Sequence, residues 1–318
     1  MKKVIAIVGP TAIGKTKISI ELAKRLNLEI ISGDSIAVYK KLNIGSAKPT
    51  LEEMDGVKHH LIDVLDPSMQ YDVSLFQKMA REIIDKNDSA IICGGTGLYI
   101  KSALYDYDFN APKRDESIEK RFEHFSNDEL FNYLLKLDSD IDCNKLHPNN
   151  RKRVLRAIQV KEDTNSSIHT NNKKDEPIYD SYIVYLNLDD RDLLYQRINQ
   201  RVDQMIDMGL IDEVKSLYDE GIMPHAIGYR EFIPYFNGEE SLESVIEEIK
   251  KNSRHLAKRQ ITWFKNQMDT HFYSVNLSNI NETIDLIYKD VVAFLGKVGE
   301  WYEILFNRNA RKRKNNCR

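Results

Sequence analysis

Cysteine is nearly absent from this 318-residue chain, occurring only at Cys93, Cys143 and Cys317. The three lie far apart, with no CxxC and no paired histidine spacing. That excludes a zinc finger and a disulfide framework, and it suits a reducing cytoplasm. Long apolar runs are missing as well, none approaching the ~20 residues of a membrane helix. The opening Met1–Val8 stretch could pass for a short leader. Its apolar run stops at Gly9-Pro10 with no small-residue cleavage site, so it reads as a buried first strand. A strong net charge is also lacking. At −3, the whole-chain balance argues neither for nor against a nucleic-acid partner, and the distribution of charge matters more. These absences lead us to expect a soluble, cytoplasmic protein, and nothing demands more than a monomer.

What is present is a chain 42% apolar and 30% charged, enough for one or two domains with a real core. Four short apolar runs bounded by turn residues read as buried parallel strands: Lys3–Val8, Leu28–Ser32, Ala90–Cys93 and Tyr182–Leu188. Helical patterns follow the first three, and Lys15–Leu26 puts Ile18, Leu22, Ala23 and Leu26 on one face. This alternation predicts an α/β fold, a P-loop NTPase-like parallel sheet core. From about Asn110 to Pro177 the chain is charged, helix-like and without a convincing strand, ending in a polar loop (Asn165 to Glu176). The expected division is a discontinuous core (1–110 and 178–296), a mostly helical insertion domain (111–177) and a disordered basic tail (297–318). A long helix is expected from Ser241 to Gln267, with Leu242, Val245, Ile249, Leu256 and Phe264 near one face.

The sharpest signal is Gly9-Pro10-Thr11-Ala12-Ile13-Gly14-Lys15-Thr16, which fits GxxxxGK[ST] between a strand and a helix. Its amides curl around phosphate oxygens and the helix N-terminus adds positive charge. Lys15 supplies a point charge, and Thr16 a hydroxyl for Mg²⁺. An ATPase would carry a metal-binding acid after a strand such as Ala90–Cys93. That strand runs instead into Gly94-Gly95-Thr96-Gly97, whereas the second strand ends in Gly33-Asp34-Ser35. Asp34, Thr96 and the P-loop are expected to share one crevice at the carboxyl ends of the strands.

Two stretches are basic and free of acids. One carries Lys145, Arg151, Lys152, Arg153, Arg156 and Lys161; the other carries Lys250, Lys251, Arg254, Lys258, Arg259 and Lys265. In a net-acidic chain they predict a positive stripe for RNA phosphates. A solvated helix face is the alternative.

Further motifs follow in order: Ile44-Gly45-Ser46-Ala47-Lys48-Pro49, His59-His60-Leu61-Ile62-Asp63, Gly94–Tyr99, Leu146-His147-Pro148-Asn149, Arg153–Ala157, Arg197–Val202, Ile227-Gly228-Tyr229-Arg230-Glu231 and Ala257–Phe264. With the P-loop and Asp34-Ser35, and over roughly residues 3 to 266, the chain resembles the tRNA dimethylallyltransferases. The resemblance implies that the P-loop holds the pyrophosphate of dimethylallyl pyrophosphate rather than ATP, with Mg²⁺ on the leaving group. It implies Asp34 as base or acceptor for the adenine amine, which is chemically sound because an exocyclic amine is a poor nucleophile. Ser35, Ile36 and Ala37, running on to Val38, would line the base pocket, and Thr96 would meet the adenine or the bridging oxygen. Leaving-group charge needs a further cation; Arg201 is the choice, with Arg197 its competitor. Lys152, Arg153, Val154, Leu155 and Arg156 would contact the tRNA anticodon stem-loop, with the insertion as a clamp on a turned-out base.

Plainer roles stand beside these. Asp34 fits a helix N-cap, Thr96 a turn, and either arginine a surface partner of Asp203 or Asp207. His59 and His60 suggest a metal site but have no third ligand at useful spacing, and read as a packed or hydrogen-bonded pair; Trp263 and Phe264 could stack on a base, but beside Ile261 and Leu256 read as core. The three glycines around Thr96 read as backbone freedom. The chain departs from the family pattern at Asn150, where an acid is usual, and at Gln159, where Glu is usual. A Thr-Gly step is replaced by Thr164-Asn165, and Glu119 falls near the place of an arginine. These positions bear on RNA contact and spare Lys15, Thr16, Asp34 and Thr96. Competing functions are a small-molecule kinase, isopentenyl transfer to a free adenine nucleotide, and a nucleotide-gated RNA-binding protein.

Overall fold

A computed structural model describes residues 1–107, 115, 117–144, 146–168 and 176–297. Apart from Lys297, the expected basic tail lies outside the described residues, as do Lys145 and residues 169–175 of the polar loop. By contacts the chain divides into two compact units, one of Met1–Leu104 with Tyr179 onward, the other Tyr105–Ile178.

In the first unit six strands form one parallel sheet: β1 (Lys3–Val8), β2 (Ile30–Ser32), β3 (His59–His60), β4 (Ser89–Gly94), β5 (Asp180–Asn187) and β6 (His271–Ser274). Their order is β3-β2-β4-β1-β5-β6. Val4 to Val8 of β1 are fully buried between β4 and β5, as a strand covered on both faces must be. β3 and β6 had no apolar signature: one is two histidines, and the other exposes three of its four residues at the sheet edge. β2 starts at Ile30, because Asn27 ends the preceding helix in the left-handed region and Leu28 turns back toward it.

The helices of this unit are α1 (Lys15–Leu26), α2 (Leu51–Met54), α3 (Val73–Lys86) and α4 (Gly97–Leu104), and after the second unit α8 (Arg191–Asp207), α9 (Leu210–Asp219), α10 (Ile233–Phe236), α11 (Leu242–Gln267) and α12 (Ile280–Leu295). Ile18, Leu22, Ala23 and Leu26 of α1 are buried as their spacing requires, packed with Ile284, Ile287 and Val291 of α12. Along α11, Val245, Ile249, Ala257 and Phe264 are buried, whereas Leu242 and Leu256 are half-exposed.

The second unit carries α5 (Ser117–Arg121), α6 (Asn127–Leu137) and α7 (Arg151–Thr164) around its own core of Ile118, Phe122, Leu130, Leu134, Val154, Leu155 and Ile158. Ser126 and Glu129 close a capping box on α6, contributing about 1 kcal/mol. Two departures from the family pattern are conformationally sound. Asn150 caps α7 by accepting from the Arg153 amide, and Asn165 ends it at φ 54°, a conformation asparagine tolerates after glycine. Among the described residues no helix is long and apolar enough to cross a membrane.

Candidate active site

The carboxyl ends of β1, β2 and β4 open into a cavity of about 1090 Å³ within the first unit. The P-loop forms its floor. Gly9 has φ 149°, and a Cβ there would lie 2.7 Å from the Leu186 carbonyl of β5, so only glycine lets the loop leave the sheet. Gly14, at φ 105°, begins α1. Lys15 Nζ donates to the Pro10 carbonyl at 2.7 Å. Enclosure of this ammonium lowers it to about 8; Cys93 and Asp34 draw it up and Arg201 pushes it down. Such a group gains most from an anion that restores its charge. Ile13 is core, while Thr16 lies exposed at the first turn.

The remaining assigned groups border the same cavity. Asp34 follows β2, and its Oδ1 accepts from the Ile36 and Ala37 amides at 2.8 and 3.2 Å. It therefore stabilises a turn and not a helix start, and both of these hydrogen bonds fall on Oδ1, with none to Oδ2 among the described residues. Ser35, Ile36 and Ala37 line the cavity; Val38 does not, being fully buried beneath the turn. Thr96 lines it just before α4. Arg201 of α8 donates from Nη1 to Thr11 Oγ1 at 3.3 Å and from Nη2 to the Ala47 carbonyl at 3.4 Å. Burial lowers its pKa, with Asp34 and Glu53 raising it. Arg197, one turn earlier, donates to the Ala12 carbonyl at 3.0 Å. Neither arginine pairs with Asp203, which holds Lys250 at 2.8 Å instead.

Several residues to which the sequence reading gave no role build the site, and Glu213 escaped it altogether. Glu213 of α9 accepts from the amides of Asn43, Ile44 and Gly45 and from the Tyr229 hydroxyl, all within 3.1 Å. One carboxylate thus fixes the loop that carries Ala47 and Lys48 to the cavity. Lys48 is clamped by Asp63 and by the Tyr39 carbonyl. Nearby, Glu231 is buried and accepts from the Gly228 amide and Asn252. No motif spacing links Glu213 to residue 44; only the packing of α9 does.

Two of the plainer roles need correction. Trp263 is not core: it lines the cavity, edge-on to the buried Phe264. Gly94, Gly95 and Gly97 do not supply backbone freedom, since none has a positive φ. A Cβ on Gly94 would strike the Gly33 backbone, on Gly95 the Gln260 side chain, and on Gly97 the Trp263 ring. His59 and His60 are hydrogen-bonded as expected, to the Val57 carbonyl and to Glu29, respectively.

The two basic stretches also fare differently from their sequence reading. On α11, acids from the preceding turn and from α8 neutralise the start: Lys250 pairs with Asp203 and Glu247, Lys251 with Glu248, and Arg254 bonds Asn199. Lys258, Arg259 and Lys265 remain exposed, and Arg259 borders the cavity. In the second unit, Lys152 and Arg153 are exposed. Val154 and Leu155, expected among the tRNA contacts, are buried in the unit's core and have no side chain to offer RNA. Arg156 bonds Gln159, and Arg151 is spent on the Phe122 and Phe125 carbonyls.

For a cation, the described residues hold no cluster of three or more ligating side chains. The Thr16 hydroxyl, which has no partner among them, and the Asp34 carboxylate both border the cavity. One or two protein oxygens beside phosphate oxygens and waters is a donor set that fits Mg²⁺.

The geometry can be compared with known proteins. The family model described as IPP transferase matches residues 37–267. The chain is 44% identical to the tRNA dimethylallyltransferase of Oceanobacillus iheyensis over 304 residues, 92% of this chain and 97% of that one. The crystal structure of the full-length tRNA isopentenylpyrophosphate transferase of Bacillus halodurans is similar with TM-score 0.71 and 39% identity, covering 95% of this chain and all of that one. A eukaryotic dimethylallyltransferase captured acting on tRNA is similar with TM-score 0.78 and 29% identity, over 91% of this chain and 78% of that one.

Proposed function

The chain belongs to the IPP transferase family and is a tRNA-modifying transferase, and from that premise we propose the chemistry of its cavity. It transfers a dimethylallyl group from dimethylallyl pyrophosphate to the exocyclic N6 of an adenosine beside the anticodon, releasing pyrophosphate. One observation carries this reading: Lys15, Arg201, Asp34 and Thr96 converge on a single cavity, with the Asp34 carboxylate close enough to both cations to raise their pKa values.

The pyrophosphate rests on the amides of Gly9–Thr16, with the Lys15 ammonium and the Arg201 guanidinium meeting its charge. Mg²⁺, with Thr16 among its ligands, supplies further stabilisation of the leaving group when bound. An adenine turned out of the anticodon loop enters beside Ser35, Ile36, Ala37 and Thr96. Its amine nitrogen forms a bond to the allylic carbon as the carbon–oxygen bond to pyrophosphate breaks, and the amine proton passes to Asp34. Because Oδ1 of Asp34 is fixed by two amides, Oδ2 is the acceptor. Lys152 and Arg153 contact tRNA phosphates, and the protein works in the cytoplasm as a monomer.

The test is a transfer assay with protein, Mg²⁺, dimethylallyl pyrophosphate and unmodified tRNA, followed by mass analysis of the nucleosides. A mass gain on adenosine, dependent on both substrates, is expected. Prenylated AMP in a parallel reaction would move the acceptor to free nucleotide, and ATP consumption without prenyl transfer would overturn the reading.

A further inference from the structure

The P-loop and the Gly94–Gly97 loop leave neighbouring strands, β1 and β4, at the Val8–Gly94 end of their ladder. Between them stands the carboxamide of Gln260 on α11. Its Oε1 accepts from the Thr11 amide at 2.9 Å, and its Nε2 donates to the Gly95 carbonyl at 3.1 Å. The backbone partners fix the orientation of the amide, since one can only donate and the other only accept. Glutamine is the side chain of this reach that presents an acceptor and a donor together. Glutamate lacks the donor, lysine lacks the acceptor, and asparagine is one methylene short.

Two further observations make the contact a built one. Gly95 has no room for a Cβ because Gln260 Nε2 occupies the space, and Gly97 has none because the Trp263 ring, one turn along α11, fills it. Thr96 is therefore bracketed from both sides by one helix. Thr11, meanwhile, is held through its amide by Gln260 and through its hydroxyl by Arg201.

We propose that Gln260 is a positioning residue that sets the spacing between the pyrophosphate cradle and Thr96, so that leaving group and acceptor base are presented in register. The proposal rests on the transfer chemistry above. Gln260 moves no proton; it fixes the distance across which the carbon is passed, and misplacement of about 1 Å costs on the order of 10²-fold in such reactions.

Gln260→Met keeps the volume and removes both hydrogen bonds. In the full-length protein we expect an unchanged fold by circular dichroism, affinity for inorganic pyrophosphate within about threefold of wild type, and a single-turnover transfer rate about 10- to 100-fold lower. Gln260→Glu is the sharper probe. Its transfer rate relative to wild type at the same pH should climb as the pH falls, because protonation restores the missing donor to Gly95. In a Trp301→Phe background, pyrophosphate should perturb Trp263 fluorescence, and Gln260→Met should abolish the perturbation. Wild-type transfer by Gln260→Met, a pH-independent ratio for Gln260→Glu, or an unaltered Trp263 response would each overturn the proposal. If the wild-type protein transfers no prenyl group, the transfer reading falls, and the Trp263 response alone decides the coupling by Gln260.

Discussion

Helices α7 and α11 look alike in sequence, each with a run of lysines and arginines free of internal acids, yet their roles diverge. On α7 the chemistry is simple: Arg151 locks the unit by bonding carbonyls, Val154 and Leu155 build its core, and Lys152 and Arg153 present charge to solvent. On α11 the first lysines are neutralised by neighbouring acids, and the middle of the helix forms a wall of the cavity through Gln260 and Trp263. The difference teaches that a charge run is read correctly only with its spatial neighbours. A phosphate contact needs an exposed cation and tolerates movement. A reacting centre needs fixed geometry, and here neutral residues on the same kind of helix provide it.

The strongest way to break this comparison is at the reacting centre. Asp34→Ala should lower turnover by about 10²–10⁴-fold, with tRNA and pyrophosphate affinities held near wild type. Near-normal turnover would remove Asp34 from the chemistry and leave it as a turn residue.

Next is the cradle. Lys15, lowered to about 8 by enclosure, must be charged to hold an anion. Pyrophosphate affinity measured by calorimetry should therefore be full below that pH and fall about tenfold per unit above it. Lys15→Met should bind weakly and flatly across the range. The sign for stability is the reverse. The folded-state pKa lies below the unfolded value, so this group costs the ligand-free protein stability at pH below about 8, and the cost is relieved as pH rises toward 10.5.

Third, Glu213→Gln removes a carboxylate that accepts from four donors and puts an NH₂ against backbone amides. A loss of roughly 2–4 kcal/mol in urea unfolding is expected, since charge-assisted bonds carry about 1.5–3 kcal/mol each and do not add fully. Transfer should fall with it, because Ala47 holds Arg201. Stability within a few tenths of wild type would mean that the loop is held elsewhere.

The smallest effect sharpens the contrast between the two helices. Lys152→Ala with Arg153→Ala should reduce the slope of log K for tRNA against log salt by about 1.5–2, whereas Lys250→Ala with Lys251→Ala should hardly change it. Equal slopes in the two double variants would show that the pairing of Lys250 and Lys251 does not withdraw them from RNA.

Much of this protein was decided locally. The buried strands, the helix Lys15–Leu26 and the P-loop conformation follow from short-range pattern, because apolar periodicity and glycine placement act within a few residues. The presence of Asp34 and Thr96 at strand ends was legible for the same reason, as was the helical character of the second unit. The tertiary structure decided what no local pattern encodes. It showed that Glu213 serves a loop 169 residues away from it in the chain, and that Gln260 bridges two loops 249 and 165 residues distant. It showed too that Lys250 is already matched by Asp203 and that Trp263 faces the cavity. These are contacts between elements far apart in the chain. Their energies arise only when packing brings the partners within hydrogen-bonding range, so the sequence alone carries the residues without their pairing.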